Sequence, residues 1–116
     1  MAANPERLEV LAHPQTLESN SEVREELRRV TCEAMDAVRD AEPEERSSDG
    51  FKLLKKSLGF IPSVAAVYDD RVIMDMDGWA STGNRDLKSI VKQNLKKKRL
   101  QRSHPDKVKA PLESLT

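Results

Sequence analysis

Residues 21–41 read SEVREELRRVTCEAMDAVRDA, and the predicted fold is built around this stretch. Its apolar residues recur at alternating spacings of four and three, which places them on one stripe of an α-helix. They are Val23, Leu27, Val30, Ala34, Ala37 and Ala41. Because half of them are alanines, the stripe suits close packing against a neighbouring element better than a free-standing coiled coil. The sequence predicts a central helix in an intramolecular bundle, and a homodimer through residues 21–41 is the alternative.

The flanking sequence adds further short helices. Pro5 follows Asn4 and opens the first helix, the polar residues 15–20 form a linker, and Ser19 or Ser21 caps the central helix. Ser48 caps a helix that Gly59 ends with a positive φ, and Asn84 caps a helix that carries apolar residues on one face. These last residues are Leu87, Ile90, Val91 and Leu95. The prediction is a mostly α fold, a small bundle of four or five helices.

Residues 60–79 fit two structures. A short β-hairpin around residues 64–76 is one of them, because valine, isoleucine and tyrosine favour strands and Asp69 and Asp70 favour a turn. A helix opened by Pro62 is the other. We favour a helix over 63–70 followed by an extended segment over 71–76, since an isolated hairpin is barely stable.

Length and composition bound the rest. The chain has 116 residues, enough for one domain, and 37% of them are hydrophobic, with aromatic residues scarce. Cys32 is the only cysteine, which excludes an internal disulfide and favours an intracellular location. Neither a signal peptide nor a membrane-spanning apolar run is recognisable. We therefore expect a soluble intracellular protein with no membrane contact.

Charge is unevenly distributed although the net charge is zero. Residues 1–50 contain 13 acids and 6 bases, whereas residues 92–116 contain 2 acids and 8 bases. Pro105 and Pro111 interrupt the last stretch, HPDKVKAPLESLT. The sequence thus predicts a helical domain over 1–102 and an irregular, flexible basic C-terminal tail over 103–116.

The basic cluster near the C-terminus is the strongest functional signal. Its members can contact phosphates or carboxylates by displacing counterions, and the KKKR run of residues 96–99 can serve as a nuclear import tag. The predicted binding residues are Lys92, Lys96, Lys97, Lys98, Arg99, Arg102 and Lys107. Aromatic residues are missing from the cluster, so stacking on single-stranded bases is unsupported. The structural alternative is a solvated helix end whose cations favour the helix dipole.

Two stretches resemble known families. LLKKSLGFIPSVAAVY, residues 53–68, resembles a helix-turn-helix, which implies a DNA-binding protein whose second helix enters the major groove. LLKKSLGFIP, together with RDLKSIVKQNLKKK at residues 85–98, is similar to the helical N-terminal domain of the transcription elongation factor S family. That resemblance implies binding of short disordered motifs of transcription proteins in the nucleus.

Catalysis has little support in the sequence. His13, His104 and Cys32 lie in separate segments, and a phosphate-cradling glycine loop is not recognisable. We expect neither enzymatic activity nor a cofactor or metal. The prediction is a non-enzymatic helical interaction or adaptor module whose basic C-terminal segment binds an acidic protein partner or nucleic acid.

Overall fold

The computed structural model describes residues 5–115. This part of the chain is mostly α-helical and contains no strand, which confirms the predicted fold class. The helices are α1 (Pro5–Leu11), α2 (Pro14–Ser19), α3 (Ser21–Asp40), α4 (Pro43–Arg46), α5 (Asp49–Leu58), α6 (Ile61–Tyr68), α7 (Arg71–Ala80), α8 (Arg85–Leu95), α9 (Lys98–Ser103) and α10 (Lys109–Ser114).

Helix α3 lies at the centre, as its apolar stripe predicts. Asn20 caps it, rather than Ser19 or Ser21, and its Oδ1 accepts hydrogen bonds from the backbone N–H groups of Glu22 and Val23. The inward face consists of Leu27, Val30, Thr31, Ala34, Met35 and Val38, all buried. Helices α1, α2, α5, α6 and α8 pack around it. Helices of the same chain thus cover the inward face of α3. The alternative of a homodimer through residues 21–41 stays a prediction.

The described chain divides into more and shorter helices than the four or five predicted. Prolines explain much of the difference, since Pro5, Pro14, Pro43 and Pro62 each stand in the first turn of a helix. A proline ends the preceding element but also fixes the φ of a new one. The predicted linker over residues 15–20 is therefore wrong, because most of it belongs to α2. The predicted Asn4 cap lies outside the described residues.

Two helices, α6 and α7, occupy the region between Phe60 and Trp79. The helix that we favoured over 63–70 is present as α6, whereas both the hairpin around 64–76 and the extended segment over 71–76 are wrong. Helix α7 forms because Val72, Ile73, Met76 and Ala80 recur on one face and are buried. Asp69 marks the junction, where its carboxylate accepts a hydrogen bond from the backbone N–H of Arg71 at 3.1 Å. Gly59 ends α5 with φ −66°, not the positive φ predicted.

The C-terminal residues also differ from the irregular tail that the sequence predicts. Residues 98–103 form α9, and residues 109–114 form α10, which packs mainly against α7. Val108 and Pro111 are buried, and Ser114 of α10 donates a hydrogen bond to Asp77 of α7. Pro111 lies in the first turn of α10, where a proline is compatible with a helix. The domain division at residue 102 stays a prediction.

Candidate functional site

Helix α8 carries one face of the candidate site. Asn84 caps it by accepting hydrogen bonds from the backbone N–H groups of Asp86 and Leu87, and Gly83 supplies the positive φ of 79° in the preceding turn. The apolar face of α8 points into the core, where Leu87, Ile90, Val91 and Leu95 are buried. The four basic residues Arg85, Lys88, Lys92 and Lys96 recur at spacings of three, four and four, so they form a stripe away from the core.

A buried asparagine fixes the carboxyl end of α8. Asn94 accepts a hydrogen bond from the backbone N–H of Ser63 at 2.9 Å. Its amide donates to the backbone carbonyls of Leu58 and Ile90, each at 2.8 Å. Since Leu58 ends α5 and Ser63 lies in the first turn of α6, this side chain links α5, α6 and α8.

The stretch of cations is divided between two helices. Helix α8 ends at Leu95, and α9 starts at Lys98 after Lys97 adopts an extended backbone. Leu100 is fully buried and holds α9 against the core, mainly on α6. The predicted cations on α9 therefore project from an anchored helix and not from a loose chain end.

Six of the seven predicted binding residues form no ion pair among the described residues, and they follow one another along α8, its junction with α9, and α9. Lys92 and Lys96 line a groove beside α10, whereas Arg99 lines another groove beside Phe60 and Tyr68. We call the six residues the basic surface: Lys92, Lys96, Lys97, Lys98, Arg99 and Arg102. Lys97 is half-buried and the other five are exposed. The seventh, Lys107, pairs with the Asp70 carboxylate at the start of α7. That pairing lowers the pKa of Asp70 and makes Lys107 part of the C-terminal attachment.

Two further cations belong beside the basic surface, although the sequence prediction omits them. Arg85 and Lys88 form no ion pair with any described residue, and they continue the line of Lys92 and Lys96 towards the start of α8. Their helical spacing from Lys92 was the available signal. The prediction missed them because it followed the density of cations along the sequence.

A groove runs between α8 and α10 beside this stripe, with a volume of about 630 Å³. Its polar lining comes from Arg85, Lys88, Ser89, Lys92, Lys96 and Gln101, and its apolar lining from Leu95, Leu112 and Leu115. Gln101, one of the lining residues, donates a hydrogen bond to the Leu95 carbonyl at 3.1 Å. The lining contains no carboxylate, so nothing in the groove neutralises the four cations.

Asp86 is the only acid between residues 85 and 103, and it faces elsewhere. Its carboxylate lies 2.9 Å from Nζ of Lys55 and 2.5 Å from the guanidinium of Arg46. Burial opposes its ionisation most strongly, but these two cations together hold the pKa of Asp86 below its ordinary value. Asp86 therefore neutralises Arg46 of α4 and Lys55 of α5, and the basic stripe of α8 keeps its charge.

Cys32 lies half-buried beside the carboxylate of Asp75. Burial, followed by the nearby Asp75 carboxylate, raises the pKa of this thiol to about 11. Its Sγ donates a weak hydrogen bond to Asp75 at 3.7 Å, and the same carboxylate receives the Arg28 guanidinium at 2.9 and 3.1 Å. The described residues hold no cluster of three or more metal-ligating side chains.

Helix α6, the second helix of the predicted helix-turn-helix, is largely enclosed. Five of its eight residues are buried, and α2, α3, α7, α8 and α9 surround it. A recognition helix must lie on the surface to enter the major groove, so this geometry does not favour that prediction.

Within residues 5–115, no helix combines the length and the apolar character needed to cross a bilayer. Comparison with protein-family models, curated proteins and solved structures finds no significant match.

Proposed function

We propose that this protein is a small, non-enzymatic helical interaction module whose basic surface binds an anionic partner, either an acidic segment of another protein or nucleic acid. One observation carries the proposal: the six cations of the basic surface are unpaired in a chain whose net charge is zero. Elsewhere in the described chain, most arginines already contact carboxylates, as Arg28, Arg29 and Arg71 do.

Unpaired cations on a rigid surface favour anion binding for two reasons. They hold counterions that a polyanion releases on binding, which supplies free energy that depends on salt concentration. They also require no internal ion pair to break, whereas Lys107 would first have to leave Asp70. Anchoring by Leu100 adds a third advantage, because less conformational entropy is lost when a partner arrives.

The non-enzymatic part of the proposal is supported by the state of Cys32. A thiol whose pKa is raised to about 11 is almost entirely protonated at neutral pH, and the thiolate is the reactive form. The nuclear location and the resemblance to the transcription elongation factor S family stay predictions.

The test compares two double variants that remove equal charge. Lys98→Gln with Arg99→Gln changes the basic surface, and Lys52→Gln with Lys56→Gln changes two unpaired cations on α5. The probes are a fluorescent 20-base-pair DNA duplex and polyglutamate, titrated at several salt concentrations. We expect the first variant to weaken binding about fivefold to tenfold, and to flatten the salt dependence for DNA by up to about two units of slope, while the α5 variant changes little.

Equal losses from both variants would mean that net charge alone governs binding, and the proposed surface would be wrong. An intact chain that binds neither probe at low salt would also contradict the proposal.

A further inference from the structure

The groove between α8 and α10 differs from the remaining cationic parts of α8 and α9, because it combines cations with an exposed leucine side chain. Arg85, Lys88, Lys92 and Lys96 form one wall, while Leu112 and Leu115 of the C-terminal segment form the other. Leu112 is 46% exposed, one of the few large apolar side chains of the described chain that lie open to solvent. A surface of this kind suits an occupant with both carboxylates and apolar side chains.

We propose that this groove binds an acidic amphipathic helix of another protein. The inference rests on the proposed function and names the class of partner. Glutamate and aspartate side chains of the helix meet the basic wall, and its apolar side chains cover Leu112 and Leu115. Glu113, the acid on α10, does not line the groove.

The dimensions agree with a helical partner. From Arg85 to Lys96 the stripe covers eleven residue steps, about 16 Å at 1.5 Å per residue, which equals three turns of a second helix laid alongside. Carboxylates at positions i, i+4 and i+7 of such a helix would stand opposite successive cations. The groove volume of about 630 Å³ has room for several apolar side chains.

Nucleic acid fits the groove less well. Phosphates and sugars would cover the cations, but they would leave the leucines against a polar backbone. The groove has no aromatic lining on which bases could stack. Apolar contact is therefore the feature that separates the two classes of partner, and the experiment measures it directly.

The experiment uses the full chain and three probes. The first is an 18-residue peptide with leucines on one helical face and glutamates on the rest, the second is a scrambled peptide of the same composition, and the third is an 18-base-pair DNA duplex. Affinities come from fluorescence anisotropy, and circular dichroism confirms that each variant keeps its helicity and its melting temperature.

We expect the amphipathic peptide to bind about tenfold more tightly than the scrambled one, since one covered leucine is worth roughly that factor. Leu112→Gln should remove this advantage, and Leu53→Gln, which changes a leucine of α5 that is 56% exposed, should preserve it. Lys88→Gln with Lys92→Gln should weaken both peptides by similar factors of about five to ten.

The outcomes separate this inference from the proposed function. Equal binding of both peptides, unaffected by Leu112→Gln, would overturn the amphipathic helix and leave general anion binding intact. Tighter binding of DNA than of the amphipathic peptide would overturn it in favour of nucleic acid. Failure of every anionic probe would overturn both.

Discussion

The surface around α3 and the surface formed by α8 and α9 both carry cationic side chains, but these side chains have opposite roles. On α3, Arg28 reaches Asp75 of α7, and Arg29 reaches Glu26 and Glu33 one helical turn away. On α8 and α9, the stretch from residue 85 to 103 contains eight bases and one acid, and that acid pairs with α4 and α5. The first surface uses its cations within the fold, and the second leaves them available to a partner.

The number of cations on a surface therefore says little about binding until the partners of each charge are known. Arg71 contacts both Glu25 and Asp69, and these contacts raise its pKa. Arg99, in contrast, contacts no carboxylate of the described residues. Only cations of the second kind contribute binding energy without first breaking an internal pair.

The largest expected effect concerns the anchor of the basic surface. Leu100→Ala removes a fully buried side chain between α9 and α6 and should lower the free energy of unfolding by about 3 kcal/mol. Leu53→Ala, at a side chain that is 56% exposed, should cost under about 0.5 kcal/mol. Urea unfolding followed by circular dichroism measures both.

A comparison of Leu100→Ala with Leu27→Ala tests whether the two surfaces are equally well packed. Leu27→Ala on α3 also removes a fully buried leucine, so its cost should be similar, about 3 kcal/mol. A cost for Leu100→Ala as small as that of Leu53→Ala would show that α9 is not docked in solution, and the comparison would become one of an ordered surface with a loose one.

A smaller effect separates two neighbouring arginines of α3. The side chains of Arg28 and Asp75 are 29% and 19% exposed, so Arg28→Ala leaves a partly buried carboxylate without its bidentate partner. We expect a loss of about 1.5 kcal/mol. Arg29→Ala, at a side chain that is 54% exposed, should cost under about 0.5 kcal/mol although Arg29 contacts two carboxylates.

Thermal and urea unfolding measure the free energies of unfolding of Arg28→Ala and Arg29→Ala. If Arg28→Ala and Arg29→Ala lower the free energy of unfolding equally, then the number of ion pairs, and not their burial, determines the stability of the α3 surface. Arg99→Ala on α9 serves as the third member, and its unpaired, exposed side chain should change stability by under about 0.5 kcal/mol.

The sequence predicts some local features of this fold and misses others. The Ser48 cap of α5 and the Asn84 cap of α8 are present, and Leu27, Val30 and Ala34 of the predicted α3 stripe are buried, because each feature depends on residues within one or two turns. The α3 cap and the positive φ of Gly59 are local as well, and those two predictions are wrong. The prediction of an extended segment over 71–76 is wrong because the valine, isoleucine and methionine of this segment suit a strand or a buried helix face equally. Packing of α7 against α8 and α10 decided the outcome, and that contact is not local.

The candidate site shows the same limit. The cation-rich run from Lys96 to Arg99 is visible in the sequence, but Leu100 stands alone without a periodic apolar partner, and Asn94 resembles an exposed polar residue. Asn94 is fully buried, and two of its three hydrogen-bond partners, Leu58 and Ser63, lie more than 30 residues away in the sequence, so local sequence gives no sign of its burial. The α10 wall of the groove is likewise a tertiary feature, since Leu112 and Arg85 meet only after folding.

The smallest effect concerns pH and the one acid of α8. The folded pKa of Asp86 lies below its ordinary value, because Lys55 and Arg46 outweigh the cost of burial. Between the folded and unfolded pKa values the unfolded chain binds more protons, so this contribution to stability is present above about pH 4 and is lost as the pH falls through the folded pKa.

Asp86→Asn should therefore reduce the pH dependence of the free energy of unfolding below about pH 4, measured by urea unfolding from about pH 3 to about pH 6. The contributions of other carboxylates with lowered pKa, such as Asp69 beside Arg71, persist in this variant. Asp106→Asn, at a side chain that is 92% exposed, should reproduce the unsubstituted slope. Parallel slopes for all three proteins would mean that Asp86 is not held by α4 and α5. The acid would then be free to neutralise the basic stripe of its own helix, and the contrast between the two surfaces would weaken.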